Sequence, residues 1–261
     1  MLFRKIFMKI VIPMAGSSER YKRAGFALPK YLLPVGNKTM IEKVVETFNP
    51  AKDEYIFIIS KEDEQSHQVK NFLSNLPIKH EVYEVDRHNL GPTHTALQIK
   101  DKLDPKDEVI INYCDFLLEW DYQDFLNKIK AGSYDGGVPC FKGFHPASLG
   151  DTYYAYLRVN EKNEFLELRE KQPFTDNRMD EFASTGTYYF KTWEIFCKYG
   201  KQQLEQKVSA GNKEFYPSLI YNLMQADGLK SLIFEVEKFI CLGSPKDYQE
   251  HQYWFNYFKN L

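Results

Sequence analysis

The segment IVIPMAGSSERYKRAGFALPKYLLPV, residues 10–35, constrains this chain more than any other. An apolar strand runs into a loop of small and hydroxyl residues, Met14-Ala15-Gly16-Ser17-Ser18, which ends at Arg20; Lys30 follows ten residues later, directly after a proline. Small residues let backbone N–H groups converge on phosphate oxygens, and an arginine and a lysine at separate points supply the charge that a triphosphate requires. An ordinary strand-to-helix turn is the bland alternative, and Arg20 and Lys30 weigh against it. A nucleophile elbow is not completed, because Glu19 and Arg20 follow Ser18, and the lysine-threonine ending of a Walker loop is missing.

Strand-like runs at 10–14, 55–59, 80–85 and 109–113 alternate with helical patterns at 39–48, 62–73 and 93–103, the signature of βαβ units. Thr39 and Glu42 have the spacing of a capping box. From Asp135 onward VPCF, YYAYLRV, EFLELRE and STGTYYF read as short mixed or antiparallel strands. A helix at 215–225, strands at 231–235 and 239–242, and a last helix opened by Ser244 as N-cap and Pro245 complete the pattern. The expected fold is α/β, a doubly wound, mainly parallel Rossmann-like sheet with added mixed or antiparallel strands. With 261 residues, 43% of them hydrophobic, and no linker-like tract, one domain over 1–261 is expected. In the run HQYWFNYF, Tyr248, His251, Phe255 and Phe258 lie at helical spacing and are expected in the core, with a subunit interface as the second reading.

Lysines and arginines number 34 against 36 acidic residues, a net charge of −2 with the signs interspersed. No basic face recommends nucleic acid or an anionic membrane, so a small-molecule partner is expected. The apolar runs fall short of the ~20 residues that span a bilayer. The opening MLFRKIF lacks the features of a secretory leader, Met8-Lys9 offers a second start, and a cytoplasmic location is expected. Cys114, Cys140, Cys197 and Cys241 have no C-x-x-C spacing, and His88 and His94 lack metal-ligand spacing. Asp115, in VIINYCDF, stands at the end of an apolar strand, where it is placed to hold a hard divalent cation such as Mg²⁺ or simply to cap a turn. In LGPTHTAL, Gly91 permits close backbone approach and Thr93 offers a hydroxyl at a helix start; a plain helix cap explains them equally well.

AGSSER followed by PKYLLPV resembles the AGxGTR and PKPLLPV signature of the sugar-phosphate nucleotidyltransferases. The resemblance implies the nucleotidyltransferase fold and transfer of NMP from an NTP to a phosphorylated small-molecule acceptor, with release of pyrophosphate. It implies an NTP-binding half at 8–135 and an acceptor-binding half at 136–261, and the YKRAGFALPK subgroup favours CTP; sugar 1-phosphate uridylyl or thymidylyl transfer fits the same motifs. By the same resemblance Arg20 and Lys30 hold the NTP phosphates, Met14 to Ser18 with Gly91 and Thr93 contact the nucleotide, and Asp115 binds Mg²⁺. Lys171, in LELREKQP, would contact the acceptor phosphate, Glu170 would orient it or bind the acceptor, and Thr185 and Gly186, in a segment similar to NAGIYVF, would face the acceptor. Arg20, Lys30, Asp115 and Lys171 are thus the catalytic candidates. No general base is required, since a phosphate monoester with a second pKa of ~6 is already an anionic nucleophile. Four positions depart from the signature. Ser18 and Glu19 replace a glycine and a hydroxyl residue, Thr185 stands at an asparagine position, and Cys241, in FICLGSPKDY, stands at the place of a second metal-binding aspartate. A thiol is a poor Mg²⁺ ligand, so either one carboxylate suffices or another acid such as Glu237 substitutes. A nucleotide-binding module with a degenerate site is the reading of another class that Cys241 leaves open.

Overall fold

Along the strand Lys9–Pro13 (β1), successive side chains feed two different cores: Val11 faces one, Ile10 and Ile12 the other. This alternation, with period 2, is what a strand buried on both faces must show. A computed structural model describes residues 8–150, 153–211 and 213–259. The first seven residues, and with them the question of a second start at Met8, lie outside the described residues.

After β1 come α1 (Glu19–Arg23), the short hairpin β2 (Pro34–Val35) and β3 (Lys38–Thr39), and α2 (Met40–Glu46). Next are β4 (Glu54–Ser60), α3 (Lys61–His67), α4 (Val69–Ser74), β5 (Lys79–Val85), α5 (Pro92–Leu97) and β6 (Val109–Asn112). Then follow β7 (Phe116–Glu119), α6 (Tyr122–Ala131), β8 (Gly136–Phe141), β9 (Ala155–Val159), β10 (Phe165–Glu170), β11 (Phe182–Ser184) and β12 (Thr187–Phe190). The chain finishes with α7 (Trp193–Glu205), α8 (Pro217–Ala226), β13 (Ser231–Glu235), β14 (Lys238–Cys241) and α9 (Pro245–Lys259).

β5, β4, β1 and β6 lie side by side, all parallel. β12 joins the edge of β6 antiparallel and continues the sheet through β8, β11, β9 and β10, while β13 runs parallel along β8. The expected parallel half with added antiparallel strands is therefore present, and its helices cover both faces. Ile41, Val44 and Val45 of α2, Val69 and Leu73 of α4, and Phe125 and Ile129 of α6 pack with Ile10, Tyr55 and Phe57. On the opposite face Ala96 of α5, Phe196 and Tyr199 of α7 and Ile220 of α8 pack with Val11, Ile56 and Ile111. The Thr39–Glu42 capping box is formed in both directions. Among the described residues no helix is long and apolar enough to cross a membrane.

Three expectations need correction. The helix expected over 62–73 breaks at Gln68, which adopts the left-handed conformation (φ 50°) and ends α3 while starting α4. The helix expected over 93–103 stops at Leu97, because Gln98, Ile99 and Lys100 donate to carbonyls three residues back rather than four. In α9 only Tyr248 of the four spaced side chains is buried; Phe255 is 41% exposed and Phe258 62%. The inner face of that helix is narrow. Tyr248 donates to the Pro34 carbonyl at 2.8 Å, Gln252 donates to the same oxygen, and the Phe255 ring touches Gly36 of the β2–β3 turn, so little room remains for more rings.

Asp53, just ahead of β4, is 6% exposed, and burial pushes its carboxyl up to about 6, against which the Asn49 N–H donates at 2.9 Å. An acid with a raised folded pKa contributes most below its unfolded value, and that contribution is lost as pH climbs to about 6. Asp53→Asn keeps the acceptor oxygen without the charge. We expect it to be more stable than the wild type at pH 8 by up to about 3 kcal/mol, with the difference vanishing by about pH 4, as measured by urea unfolding across pH.

Candidate active site

The loop that leaves β1 is built for exposed backbone donors. Met14 still donates to the Ile58 carbonyl at 2.7 Å, but among the described residues no backbone carbonyl receives the N–H groups of Gly16, Ser17 or Ser18. Ser18 turns the chain with φ 52° and ψ 30°, the left-handed region, and its carbonyl accepts from Tyr21 and Lys22 to open α1. That conformation explains why the related signature has glycine here, since a Cβ makes it unfavourable by roughly 1–2 kcal/mol. Arg20, on the exposed side of α1, has no carboxylate partner among the described residues.

Lys30 opens a single 3-10 turn, Lys30–Leu32, after Pro29. The turn is held by Tyr31, whose buried ring donates its hydroxyl to Asp63 at 3.1 Å, while Arg87 ion-pairs with the other oxygen of Asp63. Lys30 is thereby aimed at Asp115, and Nζ lies 2.6 Å from Oδ2. Burial pulls the Lys30 ammonium down, and the charge and hydrogen bond of Asp115 outweigh it, leaving Lys30 above the usual lysine value. Asp115 sits in the short link between β6 and β7, at the carboxyl edge of the parallel strands, where ligands of open α/β sheets bind. Its own carbonyl accepts from Leu242 at 2.8 Å, and the Tyr21 hydroxyl donates to the carbonyls of Leu242 and Ser244. The start of α1, the metal-candidate strand end and the β14–α9 turn are thus one hydrogen-bonded unit.

These elements line a cavity of about 1460 Å³. Met14, Gly16, Ser17, Ser18, Arg20, Lys30, Gly91, Asp115, Glu170, Lys171, Thr185 and Gly186 all line it. Two expected residues do not. Ala15 is fully buried among the core side chains, because the strand's alternation still holds at that position. Thr93 is fully buried with its hydroxyl unpartnered among the described residues, and its methyl faces Gly200 of α7. Two residues further along the helix, Thr95 reaches the cavity instead; its hydroxyl lies 3.2 Å from the Gly91 carbonyl and 3.1 Å from Nε2 of His88. Nδ1 of His88 accepts the Leu90 N–H at 3.1 Å, so the ring is the neutral Nε2–H tautomer, consistent with burial and the His94 ring 4.6 Å away lowering its pKa.

The opposite wall comes from the antiparallel half. Lys171 follows β10 in a left-handed conformation (φ 60°), its N–H donates to the Tyr154 carbonyl at 2.8 Å, and Nζ lies 3.3 Å from the hydroxyl of Tyr216 and over its ring. Tyr216 also bonds Glu214. Glu170 accepts from Ser218 at 2.6 Å, and burial raises its carboxyl pKa against the lowering influence of Ser218 and Lys171. Thr185 spends its hydroxyl hydrogen on the Pro139 carbonyl at 3.0 Å, which leaves only lone pairs for a ligand. Gly186 (φ 101°) allows the break between β11 and β12: a Cβ there would stand 2.8 Å from Phe116 and 2.9 Å from Tyr113. The rings of Tyr113, Tyr154, Tyr216 and Trp254, which complete this wall, carried no local signal in the sequence.

The residues fit a divalent cation of the Mg²⁺ type. The thiol of Cys241 is pushed up to about 12, chiefly by burial and then by Asp247, so it is neutral and supplies no hard donor. Beside it, 3.6 Å from the sulfur, lies a carboxylate oxygen of Asp247, which also accepts from Ser244 Oγ at 2.6 Å and lines the cavity. Glu237, the substitute that the sequence suggested, lines a neighbouring groove instead. Among the described residues no three or more metal-binding side chains cluster, and Mg²⁺ asks for no more than one or two carboxylates besides phosphate oxygens and water.

The sequence pattern of the MobA-like NTP transferase domain matches residues 10–175, from β1 through Lys171. The chain is 24% identical over 229 residues to the bifunctional protein GlmU of Methanocaldococcus jannaschii and 25% identical over 226 residues to that of Methanococcus vannielii. These alignments take in 86% and 87% of this chain but 49% and 48% of those proteins, so the chain spans about half the length of the curated relatives it matches. The nucleoside-diphosphate-sugar pyrophosphorylase from Vibrio cholerae RC9 superimposes with a TM-score of 0.76 at 23% identity, over 93% of this chain and 98% of that one. The inositol-1-phosphate CTP transferase from T. maritima superimposes with a TM-score of 0.68 at 13% identity, over 95% and 94%. At such identities both structures speak for the fold.

Gly91 allows close backbone approach, as expected, but what approaches it is this chain itself. A Cβ on Gly91 (φ 87°) would lie 2.7 Å from the backbone N and 2.8 Å from the backbone O of Phe215, which bond Leu90 O and Thr93 N. Gly91→Ala is expected to destabilise the fold by about 3 kcal/mol, from steric crowding and the unfavourable φ together. Thermal unfolding checks this, and an unchanged midpoint would contradict the observed approach.

Proposed function

Because this chain belongs to the family of MobA-like NTP transferase domains, we propose that it transfers a nucleoside monophosphate from an NTP to the phosphate of a small acceptor, releasing pyrophosphate. The observation that carries this reading is one cavity with Arg20, Lys30 and the donor-rich 16–18 loop on one wall and Lys171 with Glu170 on the other. Two polyanions repel, and their meeting needs fixed positive charge from both sides. Arg20 and the loop N–H groups hold the triphosphate. Lys30 faces the phosphate at which the bond to the leaving pyrophosphate breaks and the bond to the acceptor oxygen forms. Asp115 would hold Mg²⁺, with Asp247 next to Cys241 as a second carboxylate; bound there, the ion supplies positive charge to phosphate oxygens. His88, Gly91 and Thr95 line the nucleotide side, while Lys171 draws in the acceptor phosphate and Glu170, Thr185 and Gly186 border the acceptor.

Within this class the subgroup resemblance of YKRAGFALPK favours CTP, with L-glutamine phosphate as acceptor and CDP-L-glutamine as product, the reaction of a capsule-pathway cytidylyltransferase. The carboxylates Glu170 and Glu214 beside Lys171 give the acceptor end groups of both signs, which suits a zwitterionic acceptor. Transfer to a sugar 1-phosphate is the second reading, favoured by the tyrosine-rich wall on which a sugar ring can stack. The neutral Cys241 is the observation that favours a binding module without catalysis.

A matrix of NTPs against L-glutamine phosphate, phosphocholine and several sugar 1-phosphates, read by pyrophosphate release with and without Mg²⁺, decides among these. We expect release with CTP and L-glutamine phosphate only in the presence of Mg²⁺; tight NTP binding with no release in any combination would favour the module. In the productive combination Lys30→Ala should lower kcat by roughly a hundredfold to a thousandfold, about 3–4 kcal/mol of barrier. Near-normal turnover would remove Lys30 from its role.

A further inference from the structure

Among the described residues, half of the large hydrophobic side chains left exposed lie in six consecutive residues of α9: Tyr253, Trp254, Phe255, Tyr257 and Phe258. Four of them form a sheath of rings on the outer face of the helix. Tyr253 stacks on Tyr257 at 6.5 Å and Trp254 on Phe258 at 5.9 Å, and the two ladders meet edge to face, as in the 5.2 Å contact of Tyr253 with Trp254. These rings are between 51% and 63% exposed, which leaves roughly 450 Å² of aromatic surface in water, the size of the largest patch on a typical monomer, which is often an interaction site.

Alongside this ridge runs a groove of about 890 Å³ between α9 and β14, floored by Phe141, Phe239 and Ile240. Three lysines (142, 238 and 259) and four carboxylates (Glu235, Glu237, Asp247 and Glu250) line it. A twofold interface demands a surface that complements itself, and a ridge beside a groove bordered by charges of both signs has that property. The exposed rings alone supply more than half of the roughly 800 Å² per partner that a stable interface buries, and the groove beside them adds to it. An interfacial membrane helix would instead carry an excess of Lys or Arg flanking its apolar face, whereas α9 balances Lys246 and Lys259 with Asp247 and Glu250.

We propose that α9 and the adjoining groove form an isologous interface with a second copy of this chain, the ridge of each copy seated in the groove of the other. Trp254 and Glu250 line the catalytic cavity as well as the groove, so the interface lies next to the mouth of the site. It requires nothing of the reaction proposed above and stands or falls separately.

Light scattering of the full chain after gel filtration should give a mass twice the 30.8 kDa of one chain at micromolar concentration. The double variant Tyr253→Glu with Tyr257→Glu, at two positions that line neither the cavity nor the groove, should run as a monomer with unchanged circular dichroism. The milder pair Tyr253→Ala with Tyr257→Ala should raise the dissociation constant at least about tenfold, which keeps the test decisive if the charged pair misfolds. A wild type that stays monomeric at roughly 100 μM overturns the proposal, as does a dimer that neither pair weakens. Flotation of a monomeric wild type with vesicles of phosphatidylglycerol and phosphatidylcholine would overturn it too, in favour of a lipid surface.

Discussion

The ion pair between Lys30 and Asp115 is the contact on which the geometry of the cavity depends. Both groups are more than three-quarters withdrawn from water, so neither charge is well solvated without the other. A pair in this position adds little net stability over an apolar substitute, but losing one partner strands a charge, which typically is destabilising by 3–5 kcal/mol when burial is complete and by less here. Its contribution is therefore positional. It fixes the lysine of one loop against the aspartate of a strand end 85 residues away, and the Leu242 and Tyr21 hydrogen bonds extend that constraint to the β14–α9 turn.

A second constraint joins the two walls. Phe215 exchanges backbone hydrogen bonds with Leu90 and Thr93, in the segment that carries the His88–Thr95 pair, and the next residue, Tyr216, meets Lys171. The two walls of the cavity are thus braced through ordinary backbone pairing. Such bracing is what preorganised charge requires, since a cation that must first move into place contributes less at the barrier.

Much of this was readable in the sequence because it is local. Strand-like apolar runs located the parallel strands, the Thr39–Glu42 spacing located a helix start, and the spacing of Arg20 from Lys30 located one wall of the cavity. Where the reading failed, a nonlocal competitor decided the outcome. Thr93 and Thr95 stand on the same turn of helix and differ only in which faces Gly200, a fact set by α7 more than a hundred residues later. The rings of the Lys171 wall come from the residue after β6, the residue before β9, the 214–216 loop and α9, and no window of sequence contains them together. Gln68 interrupts a helical pattern that periodicity alone would continue, and the rings of α9 exceed what the small β2–β3 hairpin can cover.

The departures from the related signature have a common physical logic. Ser18 accepts a left-handed backbone that glycine adopts freely, and the conformation persists because Tyr21 and Lys22 both bond its carbonyl. At Cys241 an anionic oxygen is replaced by a thiol that burial keeps protonated, so one negative charge is removed from the neighbourhood of Asp115. The thiol then donates toward Asp247, whose carboxylate also accepts from the Ser244 hydroxyl, while Ser244 Oγ accepts the Asp247 N–H at the start of α9. Charge that the signature would place on the strand is thereby carried six residues further along the chain, on a residue held by its bonds to Ser244. The turn at Gly243 makes this arrangement compact: a Cβ there would lie 3.3 Å from Asp115 Oδ2 and 3.6 Å from the Cys241 sulfur. A side chain at 243 would enter the space between the two, so the glycine of this turn, as much as the carboxylates, keeps that side of Asp115 open.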